Sequence, residues 1–239
     1  MGKTIGIISG KGGVGKTTLA INLGLAIHHF GEDVTVIDGD IKNPSIGLYL
    51  GMHPSVTINS ILKGDENIND AVRCLGLKVI PASLAVNAVD LTKIKDILNN
   101  LNGYKIIDFP PGLDKDMISL LSACDEVIIV TNPNILSVAS TLRIIDVIKN
   151  LDKNILGIAM NMTGKSYEIS KNELEIVCSL PIWEIPEDEN VRKSIMLKTP
   201  VVLYRPYSKA SISFKELAAR ILDMKYSPPR FSVIRNIIG

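Results

Sequence analysis

The sequence predicts an α/β fold, a doubly wound and mostly parallel sheet flanked by helices. Three observations carry that expectation. Short runs rich in Ile and Val are apolar at successive positions, as in strands buried on both faces of a parallel sheet. Longer segments with helical spacing alternate with these runs. The composition, 46% hydrophobic and 21% charged over 239 residues, suits one compact domain with a sizeable core.

Taken in chain order, the first strand is expected at 4–9 and is followed by a run of glycines, after which helical spacing begins over 17–30. Strands are then expected at 34–37, 78–80, 105–107, 126–131 and 155–161, each short and apolar on both faces. The spacing predicts further helices over 91–101, 136–150 and 208–224. No repeat, low-complexity tract or Gly/Ser linker divides the chain. The Pro228-Pro229 pair is the one clear late break, so a domain is expected over 1–227 and a short tail over 228–239.

A net charge of +1 argues against a protein that coats nucleic acid through a basic surface, although a local basic patch remains open. Cys74, Cys124 and Cys178 are isolated from one another and form no CxxC pair, which suits a reducing, cytoplasmic setting. The first residues lack a signal-peptide pattern, and no run reaches the roughly 20 apolar residues of a membrane-spanning helix. The expectation is a soluble chain, attached at most to the inner face of a membrane.

The strongest motif is Gly10-Lys11-Gly12-Gly13-Val14-Gly15-Lys16-Thr17-Thr18, placed between the first strand and the first helix. It satisfies G-x-x-x-x-G-K-[ST] in the context that motif requires. Glycines let successive backbone N–H groups curl around phosphates, and the helix N-terminus adds positive partial charge. Lys16 is then expected at the β- and γ-phosphates and the Thr17 hydroxyl on Mg²⁺. Asp38 and Asp40, two residues apart at the end of the second strand, are placed to organise a metal and a water. Asp108 closes another buried strand at its carboxyl end, where ligands of open α/β sheets bind. Asn161 offers both a donor and an acceptor to a base edge; a turn or cap role is the alternative.

The KGGVGKTT form resembles the deviant phosphate loop of the MinD/ParA group of P-loop ATPases, a group that includes Mrp-type iron–sulfur carriers. The resemblance extends over most of the chain. It implies a P-loop NTPase fold of the SIMIBI type, with ATP and Mg²⁺ as ligands and a homodimer formed on ATP binding. Lys11 is then the residue that crosses to the partner's nucleotide, Asp40 orients the attacking water and Asp38 supports the metal region. Asp108 becomes the acid that acts on Mg²⁺ through water, and Gly112 the switch glycine near the γ-phosphate. Asn161 faces the adenine, with Pro186, Glu187 and Asp188 in the opposite loop. Slow hydrolysis would time the life of the dimer.

After Pro229 the chain reads as a short basic amphipathic segment, with Phe231, Ile234 and Ile238 on one helical face and Val233 and Ile237 beside it. This resembles the membrane-targeting tail of MinD proteins. Two other uses stay open: folding back over the core, or packing on a partner protein. Two rival functions also follow from the group. A ParA-like DNA partition ATPase needs clustered basic residues, whereas Lys42, Lys63, Lys165 and Lys171 are dispersed. An Mrp-like carrier needs paired cysteines. A MinD-like spatial switch of unknown client and activator is the reading that the motifs favour, with DNA not expected as a partner.

Overall fold

The computed structural model describes residues 2–85 and 89–229. Among these residues eight strands form one sheet: β1 (Thr4–Ile8), β2 (Val34–Asp38), β3 (Val72–Cys74), β4 (Leu77–Ile80), β5 (Tyr104–Asp108), β6 (Glu126–Thr131), β7 (Asn154–Thr163) and β8 (Ile182–Pro186). Their spatial order is β3-β4-β2-β5-β1-β6-β7-β8, parallel throughout except for β3 against β4. The doubly wound, mostly parallel sheet expected from the sequence is present.

Alternation along the strands divides the apolar side chains between two layers. Ile8, Ile37, Ile107 and Ile129 point to one face, where they meet helices α4 (Ile94–Leu98), α5 (Lys115–Ser122), α6 (Ile135–Asn150) and α7 (Lys171–Cys178). Ile7, Val36, Ile106 and Ile128 point to the other, which is covered by α1 (Lys16–His29), α2 (Ile46–Leu50), α9 (Val201–Tyr204) and α10 (Lys209–Ile221). Helices α3 (Ile58–Lys63) and α8 (Glu189–Met196) complete the α-helices among the described residues. No described helix is long and apolar enough to cross a membrane.

Three local differences from the expected elements have physical causes. The helix expected over 91–101 is a 3₁₀ turn, Leu91–Lys93, running into the five-residue α4, and it closes early with the Asn100 and Leu101 N–H groups bonded to the carbonyls three residues back, although Leu91, Ile94, Leu98 and Leu101 are all buried. Strand β3 escaped the pattern because it is a three-residue edge strand with an exposed arginine in its middle. A two-residue turn, Leu75-Gly76, holds it against β4; both residues have positive φ, as the tight hairpin requires. Strand β8 also lies at an edge, which accommodates Pro186 as its last residue. The apolar tail residues Phe231, Val233, Ile234, Ile237 and Ile238 lie outside the described residues.

Candidate functional site

Strand β1 is central, between β5 and β6, and its carboxyl end opens into the glycine loop that leads to α1. Gly13 and Gly15 hold φ of 77° and 98°, so the loop turns through conformations that side chains disfavour. A Cβ on Gly10 would fall 2.6 Å from the Ser140 carbonyl oxygen, so the loop lies close against α6. Gly12 and Gly13 face open space. Gly15 caps α1 without any side-chain acceptor, which leaves the first-turn N–H groups of Lys16, Thr17 and Thr18 directed at the loop's concavity. Lys11 and Gly12 are exposed at the loop's tip, and Val14 is buried beneath it.

Lys16 is 9% exposed, and its ammonium has no hydrogen-bond or ion-pair partner among the described residues. Burial lowers its pKa, opposed by the charges of Asp108 and Asp40. Thr17 Oγ1 donates to Asp108 Oδ2 at 2.5 Å and also meets Ser45 Oγ at 2.8 Å. Asp108 is fully enclosed, and its second oxygen, Oδ1, has no partner. Burial first, then the neighbouring charge of Asp38, pushes its pKa to about 7, against the pull of Thr17 and Lys16. The two acids stand directly opposite one another across β2 and β5.

Asp38 is built into the fold more deeply than the acid pair of the sequence suggests. Its Oδ2 accepts from the backbone N–H groups of Ser45 (2.9 Å) and Ile46 (3.0 Å), and Oδ1 accepts from Asp40 N at 3.2 Å. Desolvation still raises its pKa to about 6. Strand β2 ends at Asp38, so the two-residue repeat of a strand does not extend to Asp40. Asp40 instead sits in the following loop, where Oδ1 accepts from Asn43 N at 2.9 Å.

Gly112, at φ 93°, donates its N–H to the Ser9 carbonyl at 3.2 Å, and Ser9 Oγ donates to the Lys11 carbonyl at 2.7 Å. Ser9 therefore joins the loop after β5 to the glycine loop. Asn161 donates through Nδ2 to the Val14 carbonyl at 2.8 Å, while its own carbonyl accepts from Asn132 Nδ2 at 3.0 Å. Its side chain thus braces the glycine loop from β7. Pro186 ends β8, and Glu187 Oε1 pairs with Arg192 at 2.8 Å while Oε2 pairs with Lys165 at 3.3 Å. Asp188 caps α8 by accepting from Asn190 N at 2.9 Å, and its other oxygen accepts from Ala210 N at 3.2 Å. A cleft of about 630 Å³ runs past Asn132, Met162, Tyr167, Glu187 and Arg192.

Ser45, Ser9 and Asn132 are site residues that sequence reasoning did not single out. Ser45 follows the acid pair by only a few positions, which is the one signal that could have marked it. The three cysteines lie far from this end of the sheet. Cys74 pairs with the first residue of β4, Cys124 precedes β6 and Cys178 precedes β8, all near the amino ends of the strands. Burial raises all three thiols above the ordinary range.

This arrangement is that of a P-loop NTPase, with the phosphate loop leaving a central strand and an acid from the neighbouring strand bonded to the loop's threonine. A family model described as "ParA: NUBPL iron-transfer P-loop NTPase" matches residues 1–222. An uncharacterized ATP-binding protein of Methanocaldococcus jannaschii is 35% identical over 95% of this chain and 90% of its own length. The septum site-determining protein MinD of Pyrococcus horikoshii, solved with Mg-ADP, superposes with a TM-score of 0.85 at 31% identity, covering 92% of this chain and 96% of that one. MinD in the MinC:MinD cell division complex of Aquifex aeolicus gives a TM-score of 0.83 at 26% identity, covering 95% of this chain and 98% of that one. The chain belongs to the ParA family of P-loop NTPases, and MinD proteins are among its structural relatives.

Proposed function

We propose that this protein is a Mg-ATP-dependent ATPase of MinD type, in which ATP binding drives dimerisation and hydrolysis ends it. One observation carries the reading: a fully buried carboxylate with one unpartnered oxygen, Asp108 Oδ1, held beside the phosphate loop by Thr17. An orphaned buried acceptor is costly unless a ligand completes it. The Thr17 hydroxyl and Asp108, oxygen donors both, fit a hard divalent cation such as Mg²⁺. When bound, Mg²⁺ would neutralise charge on the β- and γ-phosphates.

The chain's own residues supply the rest. The N–H groups of the glycine loop and the Lys16 ammonium would hold the phosphates, and Lys16 costs little to recruit because its charge has no competing partner here. Asp40, with only Oδ1 engaged, keeps Oδ2 to accept from an attacking water and orient it. Asp38 fixes the loop that carries Asp40 rather than meeting the ligand itself, since both of its oxygens are engaged by backbone amides. Lys11, exposed at the loop's tip, is placed to reach a nucleotide in a second copy. Asn161 and the cleft beside Glu187 would receive the base. The Gly112 N–H, now spent on Ser9, is positioned to report the γ-phosphate.

The reading extends to a membrane surface through the amphipathic tail. Helix α1 starts at the glycine loop and runs 14 residues, on the order of 20 Å, to its end beside Phe30. Tyr226 packs edge-on against Phe30 at 5.7 Å, so Tyr226 lies at the pole opposite the phosphate loop. Two tails on one dimer would bind a bilayer by avidity where one binds marginally. The carrier reading gains nothing from the cysteines, which stand at that same far end of the sheet without a CxxC pair.

Phosphate release and vesicle sedimentation test the proposal together. Wild-type protein should hydrolyse ATP, Asp40→Ala should bind ATP without turnover, and that variant should sediment with anionic vesicles only with ATP. A chain ending at Pro229 should stay in the supernatant. Turnover undiminished in Asp40→Ala would contradict the assignment of the water-orienting residue; sedimentation independent of nucleotide or tail would contradict the switch.

A further inference from the structure

Lys42 lies in the loop between Asp40 and Ser45 and reaches across to the start of α5. Its ammonium pairs with Asp116 Oδ2 at 2.6 Å and Asp114 Oδ2 at 2.9 Å. Asp114 is already the cap of α5, accepting from Met117 N through Oδ1 at 3.0 Å, so its carboxylate is held in place from the other side. The two acids raise the Lys42 pKa. Lys42 stands two residues after Asp40, and Asp114 two residues after Gly112. Each end of this ion-pair bridge is thus next to a residue that the proposed hydrolysis requires to move or hold.

We infer that Lys42 is a positioning residue that latches the water-orienting loop to the γ-phosphate-sensing loop, so that the two respond to nucleotide as one unit. The inference rests on the ATPase reading for its effect on turnover, but the latch itself is a property of the two loops. Among the described residues no other side-chain hydrogen bond or ion pair joins the 41–44 segment to the 112–116 segment; closer to the metal end, the Gly39 N–H donates to the Asp108 carbonyl at 2.8 Å and Ser45 Oγ meets Asp108 Oδ2 at 3.5 Å. Lys42, Asp114 and Asp116 have side chains 60%, 42% and 25% exposed. Exposed ion pairs add little to global stability, so a merely structural role predicts no kinetic effect, whereas a latch predicts a loss in turnover without a loss in melting temperature.

Hydrogen exchange and kinetics test this in the full-length protein. Lys42→Met should speed amide exchange in 41–44 and 112–116 together, while the melting temperature stays unchanged. At saturating ATP, kcat should fall about twofold to fivefold with little change in nucleotide affinity, the range expected for loss of a solvent-exposed bridge. Raising salt from about 0.05 M to about 0.5 M shortens the screening length from roughly 14 Å to roughly 4 Å. The gap between wild type and Lys42→Met should therefore narrow with salt. The charge-reversed pair Lys42→Glu with Asp116→Lys should recover part of the exchange protection and turnover that Lys42→Glu alone loses, since the new carboxylate still faces Asp114. The latch is overturned if exchange changes in one loop only, if the reversed pair is no better than the single variant, or if Lys42→Met weakens ATP binding at unchanged kcat, which would make Lys42 a phosphate contact. If wild-type protein shows no ATPase activity, the ATPase reading fails, and the exchange measurement still decides the latch.

Discussion

Asp108→Asn should stabilise the nucleotide-free protein while abolishing Mg-dependent hydrolysis. Asp108 is a buried acid whose pKa is raised from 3.8 to about 7, chiefly by desolvation and then by Asp38. For an acid raised in this way, the folded state holds its proton more tightly than the unfolded chain. Its favourable contribution is complete below pH 3.8 and is lost as pH rises through about 7. At about 1.36 kcal/mol per unit, the full cost above pH 7 is about 4 kcal/mol, of which less than half is incurred by pH 5. Asparagine carries no charge, and its side-chain oxygen can still accept from Thr17. The stabilisation by Asp108→Asn should therefore be larger at pH 8 than at pH 5 by about 3 kcal/mol. For a chain of this length that is roughly 6–12 °C in melting temperature. Thermal melts in chelator at the two pH values measure it directly. An equal gain at both pH values, or a loss at pH 8, would refute the electrostatic reasoning.

Other variants probe the loop and its lysine. Gly15→Ala places a Cβ 2.2 Å from Asn161 Nδ2 at a φ of 98°, so it should cost about 1–3 kcal/mol in chemical denaturation and eliminate ATP binding. Lys16→Met removes a cation whose charged form burial disfavours; ATP affinity should fall at least about 100-fold by calorimetry, while the melting temperature of the nucleotide-free protein stays level or rises.

The α/β class was readable because β1, β2, β5 and β6 are apolar on both faces and their loops carry the chemistry in sequence order. The phosphate loop was equally plain, since its glycines, Lys16 and Thr17 are contiguous. What escaped was whatever depends on partners distant in sequence. β3 becomes a strand only against β4, and β8 carries a proline that reads as loop until it is seen at an edge. Asp38 and Asp40 look equivalent as a pair, yet the turn into α2 spends Asp38 on backbone amides and leaves Asp40 partly unengaged. Asn161 reads as a base contact by its chemistry, and the fold adds a second task, bracing Val14 from β7. Lys42 reads as one dispersed lysine until α5 brings two acids to it.

The central claim is that each active site is completed by a second copy of the chain. Lys11→Ala and Asp40→Ala should each be nearly inactive alone, for different reasons: one lacks the lysine that crosses the interface, the other the acid that orients water. Mixed in equal amounts with ATP, they should form heterodimers with one intact site, built from Asp40 of the first variant and Lys11 of the second, and recover up to about a quarter of wild-type turnover. A mixture no more active than the sum of its parts would contradict the account.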